Sequence, residues 1–570
     1  MSTEDTAPTL RIALDRLRTD HASLARDLES GNRAFWIGSG ISLGQVPGLE
    51  TILGSVLKFL QSHIVPGKVN DPHLASLRQI VARKLPAEIE SFDANPETWC
   101  VPSDLSALTN SYSEILGTDV EGMPADYLLW EGADVRESYG APELLPGPDH
   151  FLIAILIQEG VLTEMASANW DGLVEKAVAL LTPSGGPSPL AVYVTNESFR
   201  DESGPAKLLK LHGCAVKARD ASGSSRDYLI ALPGQISNIM SLDRHREMRD
   251  EVTKLAQRRM PLFLGLSVQD ADLLTFFTLA GARSPWPWNQ DHPAYVFAER
   301  ELGQTHRTLL QQVYVADFQK QSTAIRHYST FPMFSRPLLA ALVVHVIGRK
   351  LSALIAFGRV DSVNHDRLRE GLSVLEGRLA EGVGSDLERL VDNLTLGYAR
   401  LVWWYFGNGG VTSAAGYLSL APGTVQQIST DPRTRHSNSP ELATVLGLLG
   451  MGDALGLWAT TFECDDPTTV GLVTIKSSST QRNQIVAIVR DEAAADNFMA
   501  SDAWTLATVP TSVIHANNRR PARVPRSPRR GVSQDRNPAA LHREGWMSEL
   551  VDLDSDPDTL FEAFREEMSL

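Results

Sequence analysis

The stretch FWIGSGISLG, residues 35–44, decides how the chain is read. Phe35, Trp36 and Ile37 favour extended structure. Gly38 and Gly40 then allow a tight turn and close backbone approach. A buried strand running into such a loop, with a helix beyond, is the place where an α/β protein can hold a phosphate on backbone N–H groups. An ordinary strand-to-helix turn reads the same way locally, so the rest of the chain has to separate the two.

Moving outward, short apolar runs recur. They are VLTEMAS (161–167), LAVYV (190–194), LLKLHG (208–213), YLIAL (228–232), PLFLGLS (261–267), AYVFA (294–298) and VYVAD (313–317). Helical patterns such as GLVEKAVALL and DLLTFFTLA separate several of them. Continuous apolar strands alternating with helices predict a Rossmann-like, mostly parallel sheet covered on both faces. Leu10, Leu14, Leu17, Leu24 and Leu28 predict helical structure over 8–30, ahead of the first strand. Residues 49–160 read as a helical insertion between the glycine loop and the second strand. The α/β unit is expected to occupy residues 1–330.

Residues 335–570 read as a second, mainly helical α+β region. Helices dominate 335–408. A polar turn and a helix follow in 431–460, and strands are expected at 470–477 and 484–491. Trp403, Trp404, Tyr405 and Phe406 form an aromatic cluster best used in a core. Near the end, Arg519, Arg520, Arg523, Arg526, Arg529 and Arg530 fall in an Arg/Pro-rich stretch, 519–530, without an acid. It reads as an exposed loop that can meet nucleic acid phosphate or the acidic tail.

Totals bound the function. The chain has 570 residues, 43% of them apolar, and a formal net charge of -17. Such a body repels bare nucleic acid unless a local basic patch overrides it. Cys100, Cys214 and Cys464 lie far apart, which excludes a four-cysteine metal module and makes a disulfide framework unlikely. MSTEDTAPTL is too polar for a secretory signal, and the apolar stretches 151–157 and 337–348 are too short to span a bilayer. The expectation is a cytoplasmic protein with no membrane partner.

Two more stretches bear on the opening loop. In SANWDGLVEKA, Asn169 and Asp171 follow the strand 161–167. In KLLKLHG, His212 stands at a strand end. Open parallel sheets place ligands at such carboxyl ends. Asparagine donates and accepts at once, so it can orient water or a ribose hydroxyl. Histidine can take a proton near neutral pH. A helix cap and a structural histidine are the ordinary alternatives for each residue taken singly.

Four motifs, in order, make the chain resemble a sirtuin-type domain. Gly38-Ser39-Gly40-Ile41-Ser42 is similar to the sirtuin glycine loop. Ser167-Ala168-Asn169-Trp170-Asp171-Gly172-Leu173 and Ala177 follow the Thr-Gln-Asn-Ile-Asp pattern. His212-Gly213 matches the catalytic His-Gly, and Gly265-Leu266-Ser267 the later Gly-Thr-Ser loop. The resemblance implies NAD as the substrate. Residues 38–42 would cradle its pyrophosphate. Asn169 would hold the nicotinamide ribose or position water, and Asp171 would sit near the nicotinamide. His212 would act as general base, and Gly265 and Ser267 would contact the nucleotide.

The departures matter too. The deacetylase zinc ribbon is missing from 214–260, so no structural zinc or other metal is expected. The Pro-Asp-Phe-Arg after the glycine loop is replaced by GQVPGLETIL. Loss of the peptide side with retention of the nucleotide side favours hydrolysis of NAD itself. In this the chain resembles the sirtuin-like NAD hydrolase domains of bacterial antiphage defence proteins, which deplete NAD during infection. That resemblance implies a homo-oligomer and a partner such as a HerA-type hexameric ATPase or a short Argonaute, with nucleic acid as a possible trigger. A protein deacylase, a non-catalytic NAD or ADP-ribose-binding signalling module, and a nucleic-acid-binding protein using 519–530 are the rival readings.

Overall fold

The computed structural model describes residues 9–68, 70–220, 224–239, 241–269, 271–408, 416–430, 439–462, 470–505, 509–519, 543–550, 556–568 and 570. The Arg/Pro-rich stretch beyond Arg519, the polar turn at 431–438 and Cys464 lie outside the described residues.

The described chain starts with two helices, α1 (Leu10–Arg18) and α2 (Ala22–Glu29), within the span 8–30 that the leucine period predicts to be helical. Thr19 caps α1 by donating its backbone N–H to Asp15, and the chain restarts after His21. Strand β1 (Arg33–Ile37) follows. The insertion carries α3 (Leu49–Ser62), α4 (Pro72–Lys84) and several short turns, and ends in α5 (Pro148–Gln158). Then come β2 (Glu164–Ser167), α6 (Leu173–Leu181), β3 (Leu190–Tyr193), β4 (Ala206–Lys210), α7 (Arg246–Arg258), β5 (Met260–Leu264) and α8 (Ala271–Arg283). The unit closes with β6 (Val296–Ala298), α9 (Gln304–Val313), α10 (Val315–Tyr328) and β7 (Thr330–Phe331).

These seven strands make one sheet, ordered β3-β4-β2-β1-β5-β6-β7, with every pair parallel. The α/β reading holds, and the sheet is wholly rather than mostly parallel. β1 shows why it must be buried on both sides. Phe35 and Ile37 enter one core with α1, α2, α5 and α6, while Ala34 and Trp36 enter another with α7, α8 and α9. The insertion has its own core around Leu53, Val56, Leu77 and Trp130, which also takes in Trp170, Ala215 and Leu229.

Two strand expectations are corrected. Residues 228–232 are not a strand. Tyr228 ends a short 3-10 turn, and the following residues fold over the His212–Gly213 turn, where the Ile230 N–H donates to the His212 carbonyl at 3.0 Å. Residues 313–317 are the junction of α9 and α10. Val313 and Tyr314 are buried at the break and Val315 is exposed, a helical rather than an alternating pattern. The strand that does close the sheet, β7, is only two residues long.

The second half contributes α11 (Ser335–Ile355), α12 (His365–Val383) and α13 (Pro440–Ala454). It adds a five-stranded mixed sheet ordered β12-β11-β10-β9-β8, made of β8 (Trp458–Thr461), β9 (Val473–Ser477), β10 (Asn483–Val489), β11 (Thr511–His515) and β12 (Arg543–Trp546). Trp404 and Tyr405 are buried, in keeping with the core reading of the aromatic cluster. α11 is long and apolar enough to cross a membrane, because the helix extends beyond the apolar stretch at 337–348. Of its most apolar 18-residue window 83% is buried within the protein, and the helix packs on α1, α5, α12 and α13. Leu338 to Ile355 share one core cluster with Phe35 and Ile37 of β1, so α11 also covers one face of the parallel sheet.

Candidate functional site

Because the strands are parallel, their carboxyl ends share one edge. Ile37 pairs with Ser167 and Leu264, and Ser167 pairs with Lys210. Four adjacent strands, β4, β2, β1 and β5, therefore deliver His212, Asn169 with Asp171, the glycine loop and Gly265–Ser267 to the same place. This is also where the chain switches direction across the sheet, with β2 on one side of β1 and β5 on the other.

All four segments line one cavity of about 970 Å³, counted to its open mouth. Gly38, Ser39, Ser42, Asn169, Asp171, His212, Gly265 and Ser267 all reach it. Gly40 and Ile41 are not among its lining residues. The size suits a nucleotide-sized ligand. The insertion supplies further walls: Val46, Pro47, Leu49, Tyr112 and Tyr139. Trp170 packs edge-on against Tyr112 and Tyr139, and Tyr139 donates to the Pro47 carbonyl at 2.8 Å.

Two N–H groups of the glycine loop are already bonded within the protein. The Gly38 N–H donates to Leu264 and the Gly40 N–H to Gly265, at 3.0 and 2.9 Å, so neither is available to a ligand. A Cβ on Gly40 would stand 2.6 Å from Gly265 Cα, and one on Gly265 would stand 2.7 Å from Gly40 Cα. Gly265 also has a left-handed backbone, φ +58°. The two loops pack backbone on backbone, and glycine is required for that contact. The second loop is tethered as well: His306 Nε2 donates to the Leu266 carbonyl at 2.9 Å. Val268, next along, holds φ +52°, a costly conformation for a β-branched residue.

The polar centre is a buried network around Ser42. The Gly147 N–H donates to His150 Nδ1 at 3.0 Å, which leaves the proton on Nε2. That Nε2–H faces Ser42 Oγ at 3.1 Å. Ser42 Oγ in turn donates to Asp171 Oδ2 at 2.9 Å and accepts from Asn169 Nδ2 at 3.3 Å. Burial pulls the His150 imidazole down to about 4, against the raising effect of Asp171, so the ring is neutral near pH 7. Asp171 Oδ1 accepts the Leu173 N–H at 3.1 Å at the start of α6, and its backbone carbonyl accepts from the buried Lys210 ammonium.

Since Asn169 Nδ2 is engaged, its Oδ1 is the free end of the amide. That oxygen is buried and has no hydrogen-bond partner. A buried acceptor left unpaired beside a cavity fits a ligand hydroxyl or water. His212 Nε2 lies 2.9 Å from Asp272 Oδ2, and both side chains are buried. A carboxylate behind an imidazole fixes the ring and stabilises its protonated form.

His150 and Asp272 were not among the expected site residues. His150 reads as part of an apolar helix, and Asp272 as a first-turn carboxylate of α8. Only the sheet order brings them to Ser42 and His212. Arg33, just before the loop, is structural: it is buried against Asp27 at 2.6 Å and against the carbonyls of Pro293 and Ala294.

Residues 163–317 match the family model of the SIR2-like domain. The matched span contains Asn169, Asp171, His212, Gly265 and Ser267, as well as Asp272. No curated protein matches the chain. Over this span the chain is similar to a SIR2-like domain, which fits an NAD-related function.

Proposed function

We propose that this chain hydrolyses NAD to nicotinamide and ADP-ribose in the cavity at the carboxyl edge of the parallel sheet. One observation carries the reading: Asn169 and His212 line the same cavity as the two glycine-bearing loops, and the buried Asn169 Oδ1 has no hydrogen-bond partner. The missing deacetylase motifs favour water over an acyl-lysine as the acceptor of the ribose.

In the reaction the bond from nicotinamide nitrogen to ribose C1′ breaks and the electron pair leaves with neutral nicotinamide. Positive charge develops on the ribose. The fixed Asn169 carbonyl dipole, held by Ser42, is suited to stabilise that charge or to hold the attacking water. Water adds to C1′ and loses one proton. His212 accepts it, and Asp272 stabilises the resulting imidazolium. Asp171 acts by holding Ser42, and Ser42 by orienting Asn169. The bookkeeping is one NAD and one water giving nicotinamide, ADP-ribose and a proton.

On this reading, residues 335–570 are the sensor, oligomerisation or partner-binding region, and the enzyme acts once a trigger arrives, such as nucleic acid or a partner ATPase or Argonaute during phage infection. The test is nicotinamide release from NAD by the full chain, with and without such triggers. Asn169→Ala and His212→Ala should each lower release by roughly 10²–10⁴-fold. Full turnover in both variants removes the assignment. Release that depends on an acylated peptide would favour a deacylase. Tight NAD binding without product under every condition would favour a signalling module.

A further inference from the structure

A second cavity lies far from the titratable site, in the helical half. It measures about 670 Å³ counted to its mouth, between α11, α12, α13 and residues 393–401. Its walls are aliphatic: Ile347, Leu351, Leu372, Leu375, Leu401 and Leu446. Interiors normally close such spaces, because side chains facing a void lose their contacts. Its acidic group, Glu376, is already held by Arg18.

The chamber shares Leu379, Asn393 and Phe462 with an adjoining, more polar recess that also contains Arg378, Thr460 and Thr461. One polar group at this junction and one in the recess are unspent. Asn393 is only 8% exposed, and its side-chain amide has no hydrogen-bond partner among the described residues. Thr460 is 2% exposed, and its Oγ1 is buried without a partner. By contrast Arg378 is engaged, with Asp453 at 2.9 Å and Glu381 at 3.3 Å. The recess therefore offers hydrogen bonds rather than unbalanced charge.

We propose that this chamber is a binding site for a neutral amphiphilic small molecule. Its apolar body fills the aliphatic space, and a single hydrogen-bonding head, a hydroxyl or an amide, sits between Asn393 and Thr460. An anionic head is disfavoured because the arginine at the mouth is already paired with carboxylates. A cationic head is disfavoured because Glu376 is already neutralised by Arg18. Amide and hydroxyl groups that are buried and unpaired in the protein alone gain partners when such a head arrives.

The test uses the full chain without NAD, so it stands apart from the hydrolase reading. N-phenyl-1-naphthylamine, a neutral aromatic probe with one N–H, is titrated and its fluorescence followed, with 1-decanol as competitor. Saturable binding at one site per chain is expected, displaced by 1-decanol. Leu375→Trp, which fills the chamber, should weaken probe binding at least tenfold with little change in melting temperature. Should that variant fail to fold, Leu401→Phe serves as the milder filler. Asn393→Leu keeps the volume but removes the amide, and should weaken 1-decanol at least fivefold. Absence of saturable binding, or binding indifferent to the filling variants, overturns the proposal.

Discussion

Two buried polar clusters are joined by one helix, and they differ in a single respect. Near its amino end, α5 places His150 against Ser42, beside Asp171 and Asn169. At its carboxyl end, Glu159 accepts from Lys350 at 2.8 Å, Tyr417 at 2.6 Å and Ser419 at 2.8 Å. Lys350 also donates to the carbonyls of Glu159 and Ala421. The Glu159 cluster is closed, with all three ammonium donors and both carboxylate oxygens spent. The Ser42 cluster is left open at one atom, Asn169 Oδ1, on a residue that lines a cavity. A closed cluster serves to clamp the second half onto the sheet unit. An open one is built to finish its bonding on a ligand.

This contrast sets the expected effects. Lys350→Met leaves the buried Glu159 carboxylate without a counter-charge, held only by Tyr417 and Ser419, so unfolding by urea should show a loss of about 3–5 kcal/mol. Adding Glu159→Gln should return much of it, since the stranded charge is gone. Asn169→Ala breaks only the weak bond to Ser42 and should change stability by about 1 kcal/mol or less, with its large effect confined to NAD turnover. If the two sites cost the same in urea, the distinction between clamp and binding centre is wrong. Gly265→Ala belongs between these extremes. Its left-handed backbone and the contact with Gly40 should cost roughly 1–3 kcal/mol. Because the contact is between the two loops, NAD affinity should fall along with stability. Unchanged affinity would mean that the loops are not part of the nucleotide site.

What the sequence discloses follows the same division between local and assembled features. β1 and β5 are readable because central parallel strands must be apolar on both faces, as FWI and PLFL are. β7 is not, since two residues carry no pattern. YLIAL is as apolar as a strand, yet its residues cover the His212 turn instead of pairing. Asn169, Asp171 and His212 stand out because each follows a strand end. His150 lies 108 residues from Ser42 in the chain, and nothing local marks its ring as different from a core histidine. Asp272 looks like any acid in the first turn of a helix. The second half gave less because its sheet is small and mixed, and its long helix α11 reads the same whether it crosses a bilayer or fills a core.

A pH-dependent effect concerns protons at the open cluster. Burial holds His150 at about 4 in the folded chain, whereas an unfolded histidine titrates near 6.5. Between these values the unfolded chain binds more protons, so the contribution of this ring to stability is complete above 6.5 and is lost as pH falls toward 4. His21 and His245, also pulled down to about 4 by burial, act with the same sign. Asp149, raised by burial against the pull of Arg336, acts with the opposite sign at lower pH. Comparing wild type with His150→Gln cancels these other groups. Glutamine can still donate to Ser42, so the variant should fold, and its stability should fall less steeply between pH 6.5 and 5. Equal slopes in urea titrations across that range would mean that the ring is not held neutral. The tautomer that points its Nε2–H at Ser42 would then lose its support.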